Sequence, residues 1–404
     1  MTLSSRLSPR LAYALVAAVI GLALFASGTP SPLYATYASL WGFSSVVLTL
    51  VYATYAFGVL TSLVVAGRVS DQWGRRPVLV VSLATLLVTS VVFMLASSVA
   101  WLFVARGIQG LATGLALGAA SAAMLDLHPR RDPAGVGLAN GVVSTAGMGL
   151  GVLISSALVQ LAPAPRVLPY VGLLALFAIA FVGALLMPEP VAGPRSRPRL
   201  TPQRPSIPAV VRRPFVLAAL GVISSWSIGG LFLSLGPSLS ASLFHTSNHL
   251  VTGLGIFALA GSGAVAQLAF GRSAPWAGAA YGSLFLSLGM VLIVLSAASD
   301  AAALYWIGAV LGGGGFGVAF LGALRALSAV IPPEHRAAVM SAFYIVAYAA
   351  ISVPAILAGS LVSSWGLQST FEVFGSIIAG LALVVAFEAW RTRPAPPRLA
   401  LARA

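Results

Sequence analysis

The stretch Gly67-Arg68-Val69-Ser70-Asp71-Gln72-Trp73-Gly74-Arg75-Arg76-Pro77 decides the fold of this chain. It crowds arginines and an aspartate together in a sequence that is only 7% charged, with long apolar runs on either side. Ionised side chains are costly in a bilayer core, so the stretch lies outside the hydrocarbon. It is too short to be a domain. The flanking runs are therefore an antiparallel helix pair joined by a tight polar turn.

The rest of the sequence extends that reading. The chain has 404 residues, of which 59% are hydrophobic, and a mean hydropathy of +0.99. Soluble domains carry about a quarter charged residues. Apolar runs of about 20 residues, each long enough to cross a bilayer as a helix, recur along almost the whole length. The 42 glycines suit helices that pack closely in lipid. The class is a polytopic, all-helical membrane protein. All 22 basic residues are arginine and set the net charge to +14, but they fall in short loops and tails, which argues against nucleic acid as a partner. Without cysteine there is no disulfide and no thiol chemistry. Paired carboxylates, histidine clusters at ligand spacing and a Walker loop are all missing. The expectation is no enzyme, no metal, no cofactor and no ATP-driven pump within this chain.

Twelve spans are predicted. The first six run Leu11–Thr36, Ser44–Ala66, Pro77–Ala96, Trp101–Leu125, Gly135–Gln160 and Leu168–Met187. The second six run Phe215–Leu239, Leu250–Phe270, Ala277–Leu295, Leu304–Val330, Ala337–Leu361 and Phe371–Trp390. Residues 1–187 then form one six-helix bundle and 214–393 a second. Between them lies a linker, 188–213, with six arginines and seven prolines, and a basic tail, 394–404, follows. Arg6 and Arg10 precede a first run without a clear cleavage site, so it is read as a retained helix, broken near its end at Thr29-Pro30-Ser31-Pro32. With both tails on one side, that side collects 19 arginines, against Arg166 on the other and Arg106 and Arg325 within spans. The positive-inside rule makes the arginine-rich side cytoplasmic.

The two halves echo each other at an offset of about 204 residues. Gly67-Arg68 recurs as Gly271-Arg272, Gly110 and Gly118 as Gly314 and Gly322, and Pro32 as Pro237. Duplication of a six-helix unit accounts for the shared offset.

Gly67, Asp71, Gly74, Arg75 and Arg76 fit the pattern G-x-x-x-D-x-x-G-R-R, and the chain resembles the major facilitator superfamily, whose signature loop between helices two and three has this form. Gly67 and Gly74 are expected to supply turn conformations closed to other residues. The resemblance implies that Asp71 meets the N-terminal end of helix eleven and that Arg75 pairs with an acid at the cytoplasmic end of helix four, here Asp126. Asp71, Arg75 and Asp126 would latch the halves together in the outward-facing state; the alternative is a plain turn whose arginines only set topology. The second-half copy lacks the aspartate and the arginine pair, so such a latch is one-sided.

Arg106-Gly107-Ile108-Gln109-Gly110 resembles the family's second motif, R-x-x-Q-G. An arginine inside a span faces a partner or a cavity, or snorkels to the surface. In the family it is implicated in proton coupling or substrate contact, which makes Arg106 and Gln109 the leading site candidates. Gly141, Gly147, Gly149 and Gly151 in the fifth span resemble the family's antiporter glycine motif in degraded form, with Met148 at the usual proline; helix packing explains the same glycines. No carboxylate lies in the middle of a span, which argues against a dedicated organic-cation exporter. Arg325 either snorkels or attracts an anionic group. Tyr34, Asn140, Trp226, Gln267 and Tyr344 are uncharged candidates for a cavity lining, although tyrosine and tryptophan also populate interfacial belts.

The expected function is secondary transport of a small solute by alternating access around a mid-membrane site. Its expected form is proton-coupled efflux of a drug-like or metabolite substrate across the inner membrane, both termini cytoplasmic; the sequence leaves the oligomeric state open and is compatible with a monomer. The alternatives are uptake or exchange of an anionic metabolite, and a non-transporting sensor or assembly factor on the same fold.

Overall fold

The computed structural model describes residues 7–191, 200, 202, 204–299 and 301–394. All regular structure among them is helical. The first span is split into α1 (Pro9–Gly28), a 3-10 turn (Ser31–Leu33) and α2 (Tyr34–Trp41). Then come α3 (Ser45–Ala66), a short α4 (Val69–Trp73), α5 (Arg75–Met94), α6 (Val99–Leu127), α7 (Pro133–Leu161) and α8 (Leu168–Leu186). The second half holds α9 (Arg212–Leu243), α10 (His249–Phe270), α11 (Pro275–Ser299), α12 (Ala302–Ser328), α13 (Arg336–Trp365) and α14 (Leu367–Arg391). With α1 and α2 counted as one span, twelve helices are long and apolar enough to cross a membrane. Linker residues Arg195, Arg197 and Arg199, the terminal Arg6, Arg398 and Arg403, and Asp300 lie outside the described residues.

Local chemistry sets the helix ends. Ser44 accepts from Val47 N to open α3, Asp132 from Ala134 N and Gly135 N to open α7, and Asn248 from Leu250 N and Val251 N to open α10. Each side chain satisfies donors that a helix start leaves without partners. Pro9, Pro133 and Pro169 stand in first turns, where the missing N–H costs nothing.

The halves meet along two long seams, α7 against α10 and α3 against α13, and where the break in the first span touches α9. Within the first half, α7 lies directly on α1. A Cβ at Gly151 would stand 2.1 Å from Phe25 O, and one at Gly147 2.1 Å from Gly21 O. Gly141 and Gly149 face α10 instead, next to Gln267 and Ala260. These four glycines thus let α7 touch a neighbour on two faces. Without a hydrophobic drive between helices in lipid, such close approach is what holds them together.

Gly151→Val is therefore expected to destabilise the detergent-purified protein by roughly 1–3 kcal/mol or more. Gly172→Ala, on α8 where a Cβ meets nothing within 4 Å, is expected to leave thermal unfolding unchanged. Equal melting temperatures for the two variants would contradict the packing.

Candidate functional site

The site begins with a defect in the first span. Pro30 has no N–H, so the carbonyl of Ala26 loses its helical donor. In lipid such a group is satisfied by protein or not at all. Gln109 Nε2, from α6, donates to Ala26 O at 2.9 Å. Arg106 Nη1 donates to the adjacent Ser27 O at 3.1 Å and to Gln109 Oε1 at 2.8 Å. Arg106 Nε donates to Tyr34 OH at 2.8 Å, and its Nη2 bonds the same hydroxyl. Ser155 Oγ, from α7, donates to Thr29 O at 2.6 Å.

Arginine and glutamine three residues apart share one helix face, so R-x-x-Q reaches two consecutive carbonyls of the broken span. The following Gly110 lets α6 come near enough, since a Cβ there would lie 2.3 Å from Tyr55 O. Arg106 is 0% exposed, so it does not snorkel. Its guanidinium carbon lies 5.5 Å and 5.3 Å from the ring centroids of Tyr34 and Tyr55. Among the described residues it is the only charged side chain that is fully buried, and its hydrogen-bond partners are neutral. Carbonyl dipoles and aromatic faces stabilise the cation.

The signature stretch forms the second polar centre. Arg75 Nε donates to Asp126 Oδ2 at 3.0 Å, and its Nη1 to Asp71 Oδ1 at 2.5 Å and to Ser70 Oγ at 2.7 Å. Arg76 Nη2 bonds Leu185 O. Glu189, just past α8, accepts from Arg75 N at 2.9 Å and Arg76 N at 3.1 Å. It thus places negative charge on the positive N-terminal end of α5.

Two expectations need correcting here. Gly67 has an ordinary right-handed φ of −56°; only Gly74, at φ +104°, uses glycine's freedom. The turn itself is helical, because residues 69–73 close as α4 before Gly74 reverses the chain. Asp71 bonds Arg75 in its own bundle, and its side chain stays 58% exposed, so the contact with the eleventh span implied by the resemblance is not the one made here.

The other candidates scatter. Arg325 Nη1 donates to Gly271 O at 2.5 Å and Ser273 O at 3.0 Å. The second half therefore has a clamp of reversed polarity, a cation on the helix and carbonyls in the turn, where the sequence suggested none. Gln267 is buried on the seam; its Nε2 donates to Thr145 Oγ1 at 3.4 Å and Gly317 O at 3.2 Å. Asn140 Nδ2 donates to Ser121 Oγ at 2.8 Å. Trp226 stacks edge-on against Tyr348 at 5.1 Å, in a cluster with Tyr55 and Tyr344. Arg106, Gln109 and Tyr34 form one constellation; Trp226 and Tyr344 form another; Asn140, Gln267 and Arg325 stand apart from both.

A family model described as Major Facilitator Superfamily matches residues 16–354. The chain belongs to that superfamily. It is a multi-pass membrane transporter by family and not an enzyme. A triacylglyceride transporter of Mycolicibacterium smegmatis is 35% identical over 114 residues, 28% of this chain and 20% of the relative. The multidrug resistance protein MdtL of Klebsiella pneumoniae is 30% identical over 102 residues, 25% of this chain and 26% of the relative. These matches span about a quarter or less of the relatives' length. The crystal structure of the human organic anion transporter MFSD10 (TETRAN) aligns with a TM-score of 0.68 over 95% of this chain and 100% of that one, at 18% identity. At that identity the likeness is one of fold.

Glu189 was not singled out from sequence, although an acid between Pro188 and Pro190 at the end of a bundle was a usable signal. A double-mutant cycle on Arg75→Ala and Asp126→Ala is expected to give a coupling of about 1 kcal/mol in thermal unfolding, and additive losses would remove the pair from the account.

Proposed function

We propose that the chain is a secondary active transporter working by alternating access, exporting an amphipathic drug-like or metabolite solute in exchange for protons. In this reading the arginine-rich side and both termini face the cytoplasm. The observation that carries it is the seam lining: Tyr55, Trp226, Tyr344 and Tyr348 meet between the halves, beside Arg106, the one fully buried charge among the described residues. Aromatic surface with few polar groups suits an amphipathic ligand. Relatives named for multidrug resistance and for triacylglyceride transport support that solute class. The Arg75–Asp126–Asp71 cluster places two carboxylates on one arginine at the cytoplasmic end of the first bundle.

A second reading is uptake or exchange of an anionic metabolite. It is favoured by one feature: the hydrogen-bond partners of Arg106 are all neutral, so its charge has no counter-ion beside it.

Everted vesicles with an inside-acid pH gradient distinguish the two. Lipophilic cations, neutral drugs and organic anions are added in turn while a pH-sensitive dye is followed. Specific collapse of the gradient by one class, reduced about tenfold or more in Arg106→Ala and less in Arg106→Lys, is the expected result. Collapse that is identical in vesicles lacking the protein would reject proton-linked export.

A further inference from the structure

Pro30, Pro237 and Pro354 each leave a helix carbonyl without its donor, and each of these carbonyls is repaired differently. Pro354, inside α13, removes the donor for Ala350 O, and Ser227 Oγ of α9 supplies one at 3.2 Å. Pro30 does the same to Ala26 O, repaired by Gln109. Both repairs stay within one six-helix bundle. Pro237, inside α9, orphans Leu233 O, and there the donor is Ser31 Oγ at 2.6 Å, from the 3-10 turn of the opposite bundle. Ser31 is 1% exposed and Leu233 3%. This repair alone crosses the boundary along which the bundles move.

We infer that Ser31 is a positioning residue that latches the end of the protein away from the termini, periplasmic in the proposed orientation. Its hydroxyl replaces the amide that Pro237 lacks, so Leu233 O has a protein donor only while that end is closed. Parting of the bundles withdraws the hydroxyl and returns Leu233 O to water or to a solute group able to donate a hydrogen bond. Closure is then favoured by repair of a backbone defect rather than by an ion pair, which fits a site with no carboxylate in mid-membrane. The inference rests on alternating access.

The cysteine-free sequence allows a direct test. Spin labels at Leu161→Cys and Ser247→Cys report the far end, and labels at Arg130→Cys and Arg272→Cys the terminus-bearing end, by pulsed-EPR distances in lipid nanodiscs. Wild type should show a closed far-end distance with a minor open population. Ser31→Ala, which leaves a buried carbonyl without a donor, should raise that open population about tenfold. The double variant S31A/P237A, in which an amide N–H again faces Leu233 O along α9, should return most of the shift. If Ser31→Ala does not fold, Ser31→Thr and Ser31→Val keep one shape with and without the hydroxyl, and only the valine variant should open. Unchanged far-end distances in the hydroxyl-less variant overturn the latch, as does a double variant as open as the single one. A single fixed distance at both ends in every variant rejects alternating access itself, and the latch with it.

Discussion

A carbonyl deprived of its helical donor inside a bilayer has no water to turn to, and much of this structure follows from that. Prolines at 30, 237 and 354 open three such gaps. Each is closed by a side chain from another helix, and each closure fixes the position of that helix. Seen this way, the spacing of Arg106 and Gln109 is set by two consecutive carbonyls in the broken first span. The same pair that binds α6 to the break also buries a positive charge between Tyr34 and Tyr55. Structural repair and the chemistry of the site are one set of bonds.

The charges obey a related rule. Arg106 is held by neutral acceptors and ring faces; Arg75 is held by Asp126 and Asp71 at the membrane edge, where water still contributes. Glu189 ties the end of the first bundle to the start of α5, so the chain leaving for the linker is anchored on the signature turn. In the second half Arg325 grips two carbonyls of the turn after α10, Gly271 O at the negative end of that helix dipole and Ser273 O beyond it. The two halves thus brace corresponding turns with opposite polarity.

Much of this was legible in the sequence. Hydropathy and arginine placement located all twelve spans to within a few residues, because crossing a bilayer imposes a length and a polarity that few sequences mimic. The motif at Gly67 to Arg76 and the one at Arg106 to Gly110 pointed to the residues that the structure bonds together. What stayed hidden depends on who faces whom. Ser31 looks like any serine in a proline-rich break until Leu233 is seen opposite. Arg325 offered a choice between snorkelling and an anion, and the turn carbonyls it binds bear no side-chain signature. Gly67 shows the converse error, since glycine in a motif need not mean an unusual backbone. Serine lying across from the residue four before a proline is a signal that pairing, but not periodicity, can reveal.

In the proposed transporter, driven by a gradient, a repaired break and the buried Arg106 stand at the centre. The most direct test is solute flux by the purified protein in liposomes, where an imposed pH gradient is the only energy source. Radiolabelled or fluorescent amphipaths should accumulate against their own gradient, and a protonophore should abolish accumulation. Flux indistinguishable from protein-free liposomes for cationic, neutral and anionic solutes, with the protein folded and inserted, would contradict it.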